Sequence, residues 1–408
     1  MPYLDSVLRP AWLRVDLDAL ERNVRRLAAA VAPARVAVVV KADAYGHGAV
    51  EVGRVFEAEG AELAAVALLE EGVELRRSGL RMPILVLGTL EPGQLPVCRR
   101  HVLTPALSSL EQLALWRDFT AGSLGAPQPV HLKVDTGMSR LGVAPEEVPR
   151  ALEMLRAAPE LQLAGLMSHF GDADLPESPR NDEQTAAFDA VLPLLTEAER
   201  GTVTVHFANS AAGLHRPPSR FDMVRFGLAL YGLDPLAGHP GPGAPEPVDG
   251  LEPVASVAAR ISQVRSVPAG RAAGYGSRWV AERPSRLAVV PVGYADGYPW
   301  SLTHRGEALL RGRRVAMAGA VSMDLTIFDV TDLEAAAPGR GAVPVAAEEE
   351  VVLLGRQEGE EITALELAER AGTIPWEILT RLGERLPRCY LRGGRVVAVA
   401  SRFLGARR

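Results

Sequence analysis

Apolar positions in the first two-thirds of the chain follow two alternating patterns. Short runs rich in Val, Ile and Leu are typical of buried strands, and the stretches between them repeat apolar residues every three or four positions, as helices do. The strand candidates are residues 12–16, 35–40, 63–67, 84–87, 130–134, 163–167, 203–207 and 223–226. About eight strand–helix units favour a closed (β/α)8 barrel over an open sheet.

The pattern changes after residues 237–247, which are rich in Pro and Gly. The later segments read mainly as strands, with one capped helix over 363–370 and a hairpin turn at 392–395. These strand candidates are 254–267, 286–292, 307–317, 324–330 and 350–354. We therefore predict an α/β protein with a barrel domain over residues 12–243 and a mainly-β domain over 244–408, with which residues 1–11 could pack.

Composition excludes several protein classes. Hydrophobic residues make up 48% and charged residues 23% of the 408 residues, which are ordinary globular values. The net charge is −6 and no long basic run occurs, so we expect no nucleic-acid partner. No apolar run is long enough to span a membrane, and the N-terminus lacks the apolar core of a signal peptide. We expect a soluble, cytoplasmic protein.

Metal and disulfide chemistry are not expected either. Cys98 and Cys389 are the only cysteines, too few for a disulfide framework or a four-thiolate metal site. Lysine is also scarce: of the 44 Lys and Arg residues, only Lys41 and Lys133 are lysines. Two lysines could survive by chance, but an amine can lose its proton and act as a nucleophile, which an arginine cannot do. Both positions are therefore candidates for amine chemistry.

Polar motifs follow several predicted barrel strands, at the end where barrel enzymes place their active sites. Lys41 ends a buried run and precedes the turn that holds Tyr45, which suits a lysine that carries a carbonyl cofactor as a Schiff base. A lysine that merely extends from a strand end to solvent is the alternative. Arg140 follows a turn after the strand that holds Lys133 and could clamp a carboxylate, whereas Lys133 could be an ordinary ion-pair partner.

The last two barrel strands carry further candidates. Asn209 and Ser210 follow one strand, and Arg225 and Gly227 end the next, where many barrels bind phosphate. His169 and His206 also lie at strand ends, although an isolated histidine there is more often a hydrogen-bonded core residue than a catalytic one.

The β-rich part holds glycine-flanked tyrosines. Tyr275 lies between Gly274 and Gly276, and Tyr294 follows Gly293, which indicates exposed rings on turns. A phenol acts as an acid or base near neutral pH only if positive neighbours lower its pKa from about 10.

Together these motifs resemble those of the alanine racemases, enzymes of fold type III that depend on pyridoxal 5′-phosphate (PLP). The resemblance covers nearly the whole chain and rests on the order of KADAYGHG, DTGMSRLG, SHF, HFANS, RFGLALYG, GYGSRW, VGYADGY, SMD and IPWEILTR. Each motif alone is weak, but their order and spacing are highly specific.

The resemblance implies roles in catalysis and cofactor binding. Lys41 would hold PLP and serve one face of the substrate, and Tyr275 from the other subunit of a homodimer would serve the opposite face. His206 would hydrogen-bond that tyrosine. The cofactor-binding residues would be Lys41, Tyr45, His169, Asn209, Ser210, Arg225, Gly227 and Trp376, with Arg225 facing the pyridine nitrogen and His169 behind it.

It also implies how the substrate is held. Arg140 and the Met323 backbone N–H would bind the carboxylate of alanine, and Lys133, carbamylated in many family members, would fix Arg140. Tyr294 would line the entrance across the dimer, with Asp324 as a supporting residue. The usual role of the family is to supply D-alanine for peptidoglycan.

One residue departs from the family pattern, and several alternatives stay open. Trp376 stands where a tyrosine usually reaches the cofactor phosphate, so cofactor retention or substrate range could differ. The alternatives are a racemase acting on serine or other small amino acids, a basic amino-acid decarboxylase of the same fold type, and a PLP-binding carrier. Decarboxylases usually set an acidic group at the position of Arg225, and a carrier would need neither Tyr275 nor Met323.

Overall fold

The computed structural model describes residues 8–236, 250–334 and 343–407. Its strands are β1 Ala11–Asp16, β2 Arg35–Val39, β3 Leu63–Val66, β4 Ile84–Val86, β5 Thr104–Leu107, β6 Gln128–Lys133, β7 Leu161–Met167, β8 Thr204–His206, β9 Met223–Phe226, β10 Ala255–Arg260, β11 Gln263–Val267, β12 Ala272–Ala273, β13 Trp279–Val280, β14 Ser285–Val290, β15 Glu307–Leu310, β16 Arg313–Ala316, β17 Thr326–Asp329, β18 Glu350–Gln357, β19 Glu360–Ile362, β20 Arg388–Arg392, β21 Arg395–Ser401 and β22 Gly405–Arg407.

The α-helices occupy mostly the first half of the chain. They are α1 Leu17–Val31, α2 Ala49–Ala58, α3 Leu69–Arg77, α4 Leu95–Arg100, α5 Leu110–Thr120, α6 Val148–Arg156, α7 Arg180–Asp189, α8 Glu197–Arg200, α9 Ser210–His215, α10 Thr331–Glu334, α11 Ala364–Ala371 and α12 Pro375–Thr380. Within the described residues, no helix is both long and apolar enough to cross a bilayer.

The chain divides into two compact units. One contains residues 1–19, 45–48 and 253–408, and the other contains residues 20–44 and 49–252. We call the first the β-rich unit and the second the barrel unit. The predicted domain boundary at residues 243 and 244 lies outside the described residues.

The barrel unit is built on eight parallel strands in the order β8-β7-β6-β5-β4-β3-β2-β9. The two ends of this sheet meet, because Asp222 N–H donates to Val205 O at 3.0 Å and Arg225 N–H donates to Ala208 O at 3.0 Å. The predicted (β/α)8 barrel is therefore confirmed, and its carboxyl strand ends form one rim.

The strand β1 does not belong to the barrel. It pairs with β10 and β20 in a nine-stranded sheet of the β-rich unit, so its assignment as the first barrel strand is wrong. The barrel strand missing from the prediction is β5, which pairs with β4 and β6. Its second residue is Pro105, which cannot donate to a strand ladder and so weakens the sequence signal.

The β-rich unit contains the mainly-β region that the sequence predicts. Its nine-stranded sheet runs β16-β15-β18-β10-β1-β20-β21-β22 with β19 paired to β18, beside sheets β11-β14-β17 and β12-β13. The predicted capped helix is α11, in which the Thr363 side chain accepts a hydrogen bond from Glu366 N–H at 3.0 Å.

Aromatic packing fixes the rim of the barrel after β7 and β8. The rings of Phe170 and Phe207 stack at a centroid distance of 3.8 Å and an interplanar angle of 11°, and Phe188 of α7 packs on Phe207 at 4.9 Å. All three rings are fully buried. Because Phe170 and Phe207 each directly follow a histidine, this packing anchors the backbone on which His169 and His206 stand.

Candidate active site

Lys41 emerges from an unusual turn at the end of β2. Ala42, Asp43, Ala44 and Tyr45 have φ between 52° and 54°, in the left-handed region that costs about 1–2 kcal/mol for each residue with a side chain. Two hydrogen bonds hold the turn: Ala42 N–H donates to Glu71 at 2.6 Å, and Ala49 N–H donates to Asp43 at 2.8 Å. The position of the lysine is therefore set by strained but well-anchored backbone.

Two features make the Lys41 amine a better nucleophile than an exposed lysine. Burial and the repulsion of Arg140 lower the pKa of Lys41, against a smaller opposing effect of Glu71. A lower pKa leaves more of the amine neutral at a given pH, which is the form that attacks a carbonyl carbon.

Lys133 is the more deeply buried of the two lysines. Burial, followed by repulsion from Arg140 and Arg225, lowers the pKa of Lys133 to about 8, although Asp135 opposes the shift. In the described part of the chain no carboxylate forms an ion pair with its amine. The lowered pKa gives the amine at the end of β6 a larger neutral fraction than an exposed lysine has, and the neutral form is the one open to covalent modification.

Arg140 stands on a loop built by Asp135. The Asp135 carboxylate accepts hydrogen bonds from Gly137 N–H at 2.9 Å and Ser139 N–H at 3.0 Å. The loop folds back onto its own start at Gly142, which has a φ of 144°. A Cβ at this position would lie 2.3 Å from the Asp135 nitrogen, so the close approach requires glycine. Arg140 is exposed, and no described carboxylate pairs with it, so its guanidinium is free to bind an anionic ligand.

Arg225 lies buried at the centre of the rim and is held by neutral acceptors. Its Nη2 donates to Ser168 O at 2.7 Å, Phe207 O at 3.0 Å and His169 Nδ1 at 2.9 Å. Its Nη1 donates to His206 O at 3.1 Å and His206 Nδ1 at 2.9 Å. Burial lowers the pKa of Arg225 to about 10, which keeps it protonated at neutral pH.

The two predicted histidines occupy different positions around Arg225. His206 uses both ring nitrogens inside the barrel, since its Nε2 lies 2.8 Å from His131 Nδ1. The expected hydrogen bond from His206 to Tyr275 does not fit this geometry. His169 contacts Arg225 through Nδ1, and no described residue binds its Nε2.

The ends of β8 and β9 are joined by a hydrogen bond between Gly227 and Ser210. The Asn209 side chain accepts from Ala212 N–H at 3.1 Å and begins α9, and Gly227 N–H donates to the buried Ser210 hydroxyl at 2.9 Å. Backbone N–H groups and a hydroxyl at helix starts suit an anion such as a phosphate. Asn209 itself acts as a helix cap.

Tyr45 lies in the segment that groups with the β-rich unit. It is buried, and burial raises its pKa to about 12. The following residue, Gly46, approaches the main chain so closely that a Cβ would lie 2.4 Å from Leu379 O. Trp376 of α12 is half-buried, and no described residue accepts a hydrogen bond from its indole N–H.

The remaining predicted residues of the β-rich unit lie on turns. The Tyr275 side chain is 73% exposed, between Gly274 at a φ of 75° and Gly276 at a φ of 70°. The turns holding Tyr294 and Met323 are joined, because Tyr294 N–H donates to Ser322 O and Ala295 N–H donates to Met323 O, both at 3.0 Å. No described acceptor takes the Met323 N–H.

An ion pair to a buried carboxylate supports these turns, and the sequence did not predict it. Arg9 contacts both oxygens of the fully buried Asp296, at 2.7 and 2.6 Å, and Gly293 N–H donates to the same carboxylate at 3.0 Å. Arg385 links Asp296 at 3.3 Å to the predicted residue Asp324 at 2.6 Å. The one sequence feature that could have indicated this pair is the acidic residue Asp296, which lies in a turn bounded by Gly293 and Gly297.

The described residues contain no cluster of His, Cys, Asp or Glu that could hold a metal ion. The rim of the barrel unit presents two amines, Lys41 and Lys133, and two arginines, Arg140 and Arg225.

Comparison with known proteins agrees with this chemistry. The alanine racemase N-terminal domain profile matches residues 15–235, and the C-terminal domain profile matches residues 254–390. The alanine racemase of Synechocystis sp. is 40% identical over 383 residues, 93% of this chain and 99% of that protein. That of Symbiobacterium thermophilum is 41% identical over 384 residues, 94% and 97% of the two chains.

Solved structures give the same result. The structure of alanine racemase from Bacillus anthracis with bound L-Ala-P has a TM-score of 0.86 at 34% identity and covers 97% of this chain and 98% of that one. Alanine racemase from Bartonella henselae with covalently bound pyridoxal phosphate has a TM-score of 0.80 at 31% identity, covering 94% and 99%. The chain therefore belongs to the alanine racemase family of isomerases.

Proposed function

We propose that this enzyme interconverts L- and D-alanine with two acid–base groups on opposite faces of the substrate, Lys41 of one subunit and Tyr275 of the partner subunit. The observation that carries the proposal is the half-buried Lys41 amine on the same barrel rim as Arg225, which is buried without a carboxylate partner. The first supplies a titratable amine, and the second supplies a fixed positive charge.

PLP fits the residues of the rim. The Lys41 amine would hold its aldehyde carbon, the Ser210 hydroxyl and Gly227 N–H its phosphate together with Tyr45, and Arg225 its pyridine nitrogen. The fit rests on the lowered pKa of Lys41 and on the adjacent Ser210 hydroxyl and Gly227 N–H, which are 2.9 Å apart. When bound, PLP withdraws electrons from the substrate and acidifies its Cα–H bond.

Arg225 would act by keeping its own proton. Its guanidinium stays protonated at neutral pH, so it would donate a hydrogen bond to the ring nitrogen of PLP without transferring a proton to it. A ring nitrogen that stays unprotonated draws less charge from Cα. We infer that Arg225 thereby limits the lifetime of negative charge at Cα and suppresses side reactions such as transamination.

Racemisation needs a proton donor on the second face, and we assign it to Tyr275 of the partner subunit. The Tyr275 ring is exposed on its turn, and other large apolar side chains between residues 275 and 325 are exposed as well: Val280, Tyr294, Trp300, Met323 and Leu325. Exposed large apolar side chains of this kind are the ones that interfaces bury. We therefore propose a homodimer in which each subunit supplies Tyr275, Tyr294 and Met323 to the other.

The histidine that supports Tyr275 of the partner subunit would be His169. Its Nδ1 accepts from Arg225, so its proton lies on Nε2, the nitrogen without a partner in the described chain. This assignment replaces His206, whose ring nitrogens are both used.

Arg140 and the Met323 N–H are assigned to the substrate carboxylate. Both are donors without a described acceptor, and a guanidinium binds a carboxylate in two places. Lys133 would be carbamylated: its neutral amine attacks the carbon of CO2, loses a proton and becomes an anion beside Arg140. Intact mass of the native protein should show this addition, and a free amine in a density map would contradict it.

Trp376 is expected to weaken cofactor retention or to change the range of side chains accepted. An indole donates one hydrogen bond and is larger than a phenol. The variant Trp376→Tyr should bind PLP more tightly or accept a different set of amino acids. Unchanged PLP affinity together with an unchanged substrate range would contradict this role.

Incubation of PLP-loaded enzyme with L-alanine in heavy water tests the proposed function. D-Alanine that carries deuterium at Cα is the expected product, and Tyr275→Phe should block exchange on one face. Deuteration with retained L configuration would show a single working base. No exchange would contradict the activity. In the cell we propose a cytoplasmic role in supplying D-alanine for peptidoglycan.

A further inference from the structure

We propose that His131 is a positioning residue that fixes the tautomer of His206 and, through it, the orientation of Arg225. His131 lies one hydrogen bond beyond His206 and two beyond Arg225, so it would act without touching substrate or cofactor. Only the effect on activity rests on the proposed function, since the tautomer is a property of the protein alone.

The argument begins with the donor-only chemistry of arginine. Arg225 Nη1 lies 2.9 Å from His206 Nδ1, and a guanidinium carries no acceptor. The Nδ1 atom of His206 must therefore offer its lone pair. A neutral His206 then carries its only ring proton on Nε2.

That proton needs an acceptor, because His206 is fully buried. The described atom in reach is His131 Nδ1, 2.8 Å from His206 Nε2, with the two ring centroids 5.0 Å apart. His131 Nδ1 accepts, so its own proton lies on Nε2. Without this acceptor, the Nδ1–H tautomer of His206 would become similar in free energy to the Nε2–H tautomer. Its Nδ1 proton would then point at the N–H groups of the Arg225 guanidinium, and the hydrogen bond between the two residues would be lost.

The barrel backbone is shaped to place the His131 ring. The pairing of β6 with β7 shifts register between Val130 and His131, and His131 then lies opposite Gly165. A Cβ at Gly165 would come within 2.5 Å of His131 Nδ1 and 2.6 Å of its Cε1. Only a glycine leaves room for the ring at this position.

Both imidazoles must stay neutral for this arrangement. Burial, with Arg225 adding repulsion, lowers the pKa of His131 to about 3 and that of His206 well below its usual value. Neutral His131 keeps the lone pair on Nδ1 that accepts from His206, whereas a protonated ring would have none.

Two substitutions separate the hydrogen bond from the side-chain volume. His131→Asn retains an oxygen acceptor near the place of Nδ1, and His131→Leu removes the acceptor. The first measurement uses cofactor-free protein with nitrogen-15-labelled histidines, whose long-range spectra show which ring nitrogen carries the proton. His206→Asn identifies the His206 signals among the eight histidines.

The wild-type protein and His131→Asn should both show an unprotonated Nδ1 on His206. His131→Leu should show a protonated Nδ1 in a large fraction of molecules. In the loaded enzyme, His131→Leu should lower kcat about tenfold or more with KM for alanine changed less than threefold, and should shift the pH dependence of the cofactor absorbance. His131→Asn should stay within about threefold of wild type.

If His131→Leu fails to fold, Gly165→Ala provides the second test, since its methyl group displaces the His131 ring. Unchanged His206 protonation in these variants, or equal behaviour of His131→Asn and His131→Leu, would overturn the proposal. A changed tautomer with unchanged kcat would overturn the link from His206 to Arg225. A wild-type enzyme without racemase activity would instead contradict the proposed function and leave the tautomer result standing.

Discussion

Two arginines, one in each unit, are held in opposite ways. In the β-rich unit, Arg9 pairs with both oxygens of Asp296, a carboxylate with no solvent exposure. In the barrel unit, Arg225 is 3% exposed and binds only backbone carbonyls and imidazole nitrogens. Both guanidiniums donate through their two terminal nitrogens, but only Arg9 has its charge neutralised.

The difference separates a structural charge from a functional one. Asp296 cancels the charge of Arg9, so that pair fixes the turn of Tyr294 and leaves little field beyond itself. The acceptors around Arg225 hold its geometry but carry no net charge, so its positive charge remains for a group that binds at the rim. A protein that needs a fixed donor toward a ligand can therefore build its site without a carboxylate.

The largest effect should come from removing the carboxylate of the paired site. Asp296→Asn leaves Arg9 charged and partly buried without a counter-ion, which should lower the free energy of unfolding by about 3–5 kcal/mol. Denaturant unfolding measures the loss. The double variant Arg9→Met with Asp296→Asn should recover part of it, because no unpaired charge remains. A loss below about 1 kcal/mol would contradict the comparison.

The next effect concerns the unpaired arginine. Arg225→Met removes a preorganised donor and should lower kcat/KM for alanine by about 10²–10³-fold, which corresponds to about 2.7–4 kcal/mol. Arg156→Met, which removes a surface arginine paired with Glu199, is the control and should change the rate less than twofold. Equal rates in the two variants would show that the charge of Arg225 has no role in the reaction.

Acid should destabilise the barrel unit through its neutral histidines. An unfolded histidine takes a proton near pH 6.5, whereas His131 in the fold does so only near pH 3, so the unfolded state binds more protons between these values. The contribution of neutral His131 to the free energy of unfolding is therefore complete above pH 6.5 and is lost as the pH falls towards 3. The loss is up to about 1.4 kcal/mol per pH unit for each such histidine.

The variant His131→Asn isolates that contribution. Between pH 6.5 and about 5, its free energy of unfolding should fall less steeply with decreasing pH than that of the wild-type protein. The reason is that the unfolded variant lacks the proton that His131 takes up on unfolding. Parallel slopes for the variant and the wild-type protein would mean that His131 is protonated inside the fold.

The smallest effect is expected at an exposed ion pair of the barrel unit. Arg22 and Glu252 lie 2.6 Å apart, but their side chains are 50% and 43% exposed. Glu252→Gln should cost about 0.2–1 kcal/mol of unfolding free energy, with a further decrease of the effect at high salt. If Glu252→Gln lowered the free energy of unfolding as much as Asp296→Asn, burial of the carboxylate could not explain the difference between the two ion pairs.

The residues at strand ends could be predicted from the sequence because strand periodicity places them. Lys41, Arg140, Ser210 and Arg225 all follow apolar runs, and the structure brings them to one rim. Periodicity does not say which sheet a strand joins, which is why β1 was placed in the barrel and the proline-containing β5 was missed.

Contacts between residues far apart in the chain could not be predicted from the periodicity of the sequence. Arg9 and Asp296 are separated by 287 positions, so no local sequence pattern predicts that they form an ion pair. The histidines show a second limit: the sequence places His169 and His206 at strand ends but cannot say which ring nitrogen each one uses. Only the geometry around Arg225 decides that His206 faces inward.

The turn after β2 has a consequence in terms of chirality. Three consecutive residues, Ala42, Asp43 and Ala44, have both φ and ψ near 50°, the mirror image of an ordinary right-handed helix. These angles are unfavourable for L-residues and natural for D-residues. A semisynthetic chain with D-alanine at position 42 or 44 would adopt the turn without strain, so the peptide that presents Lys41 has the backbone handedness of one of the two enantiomers on which the enzyme acts.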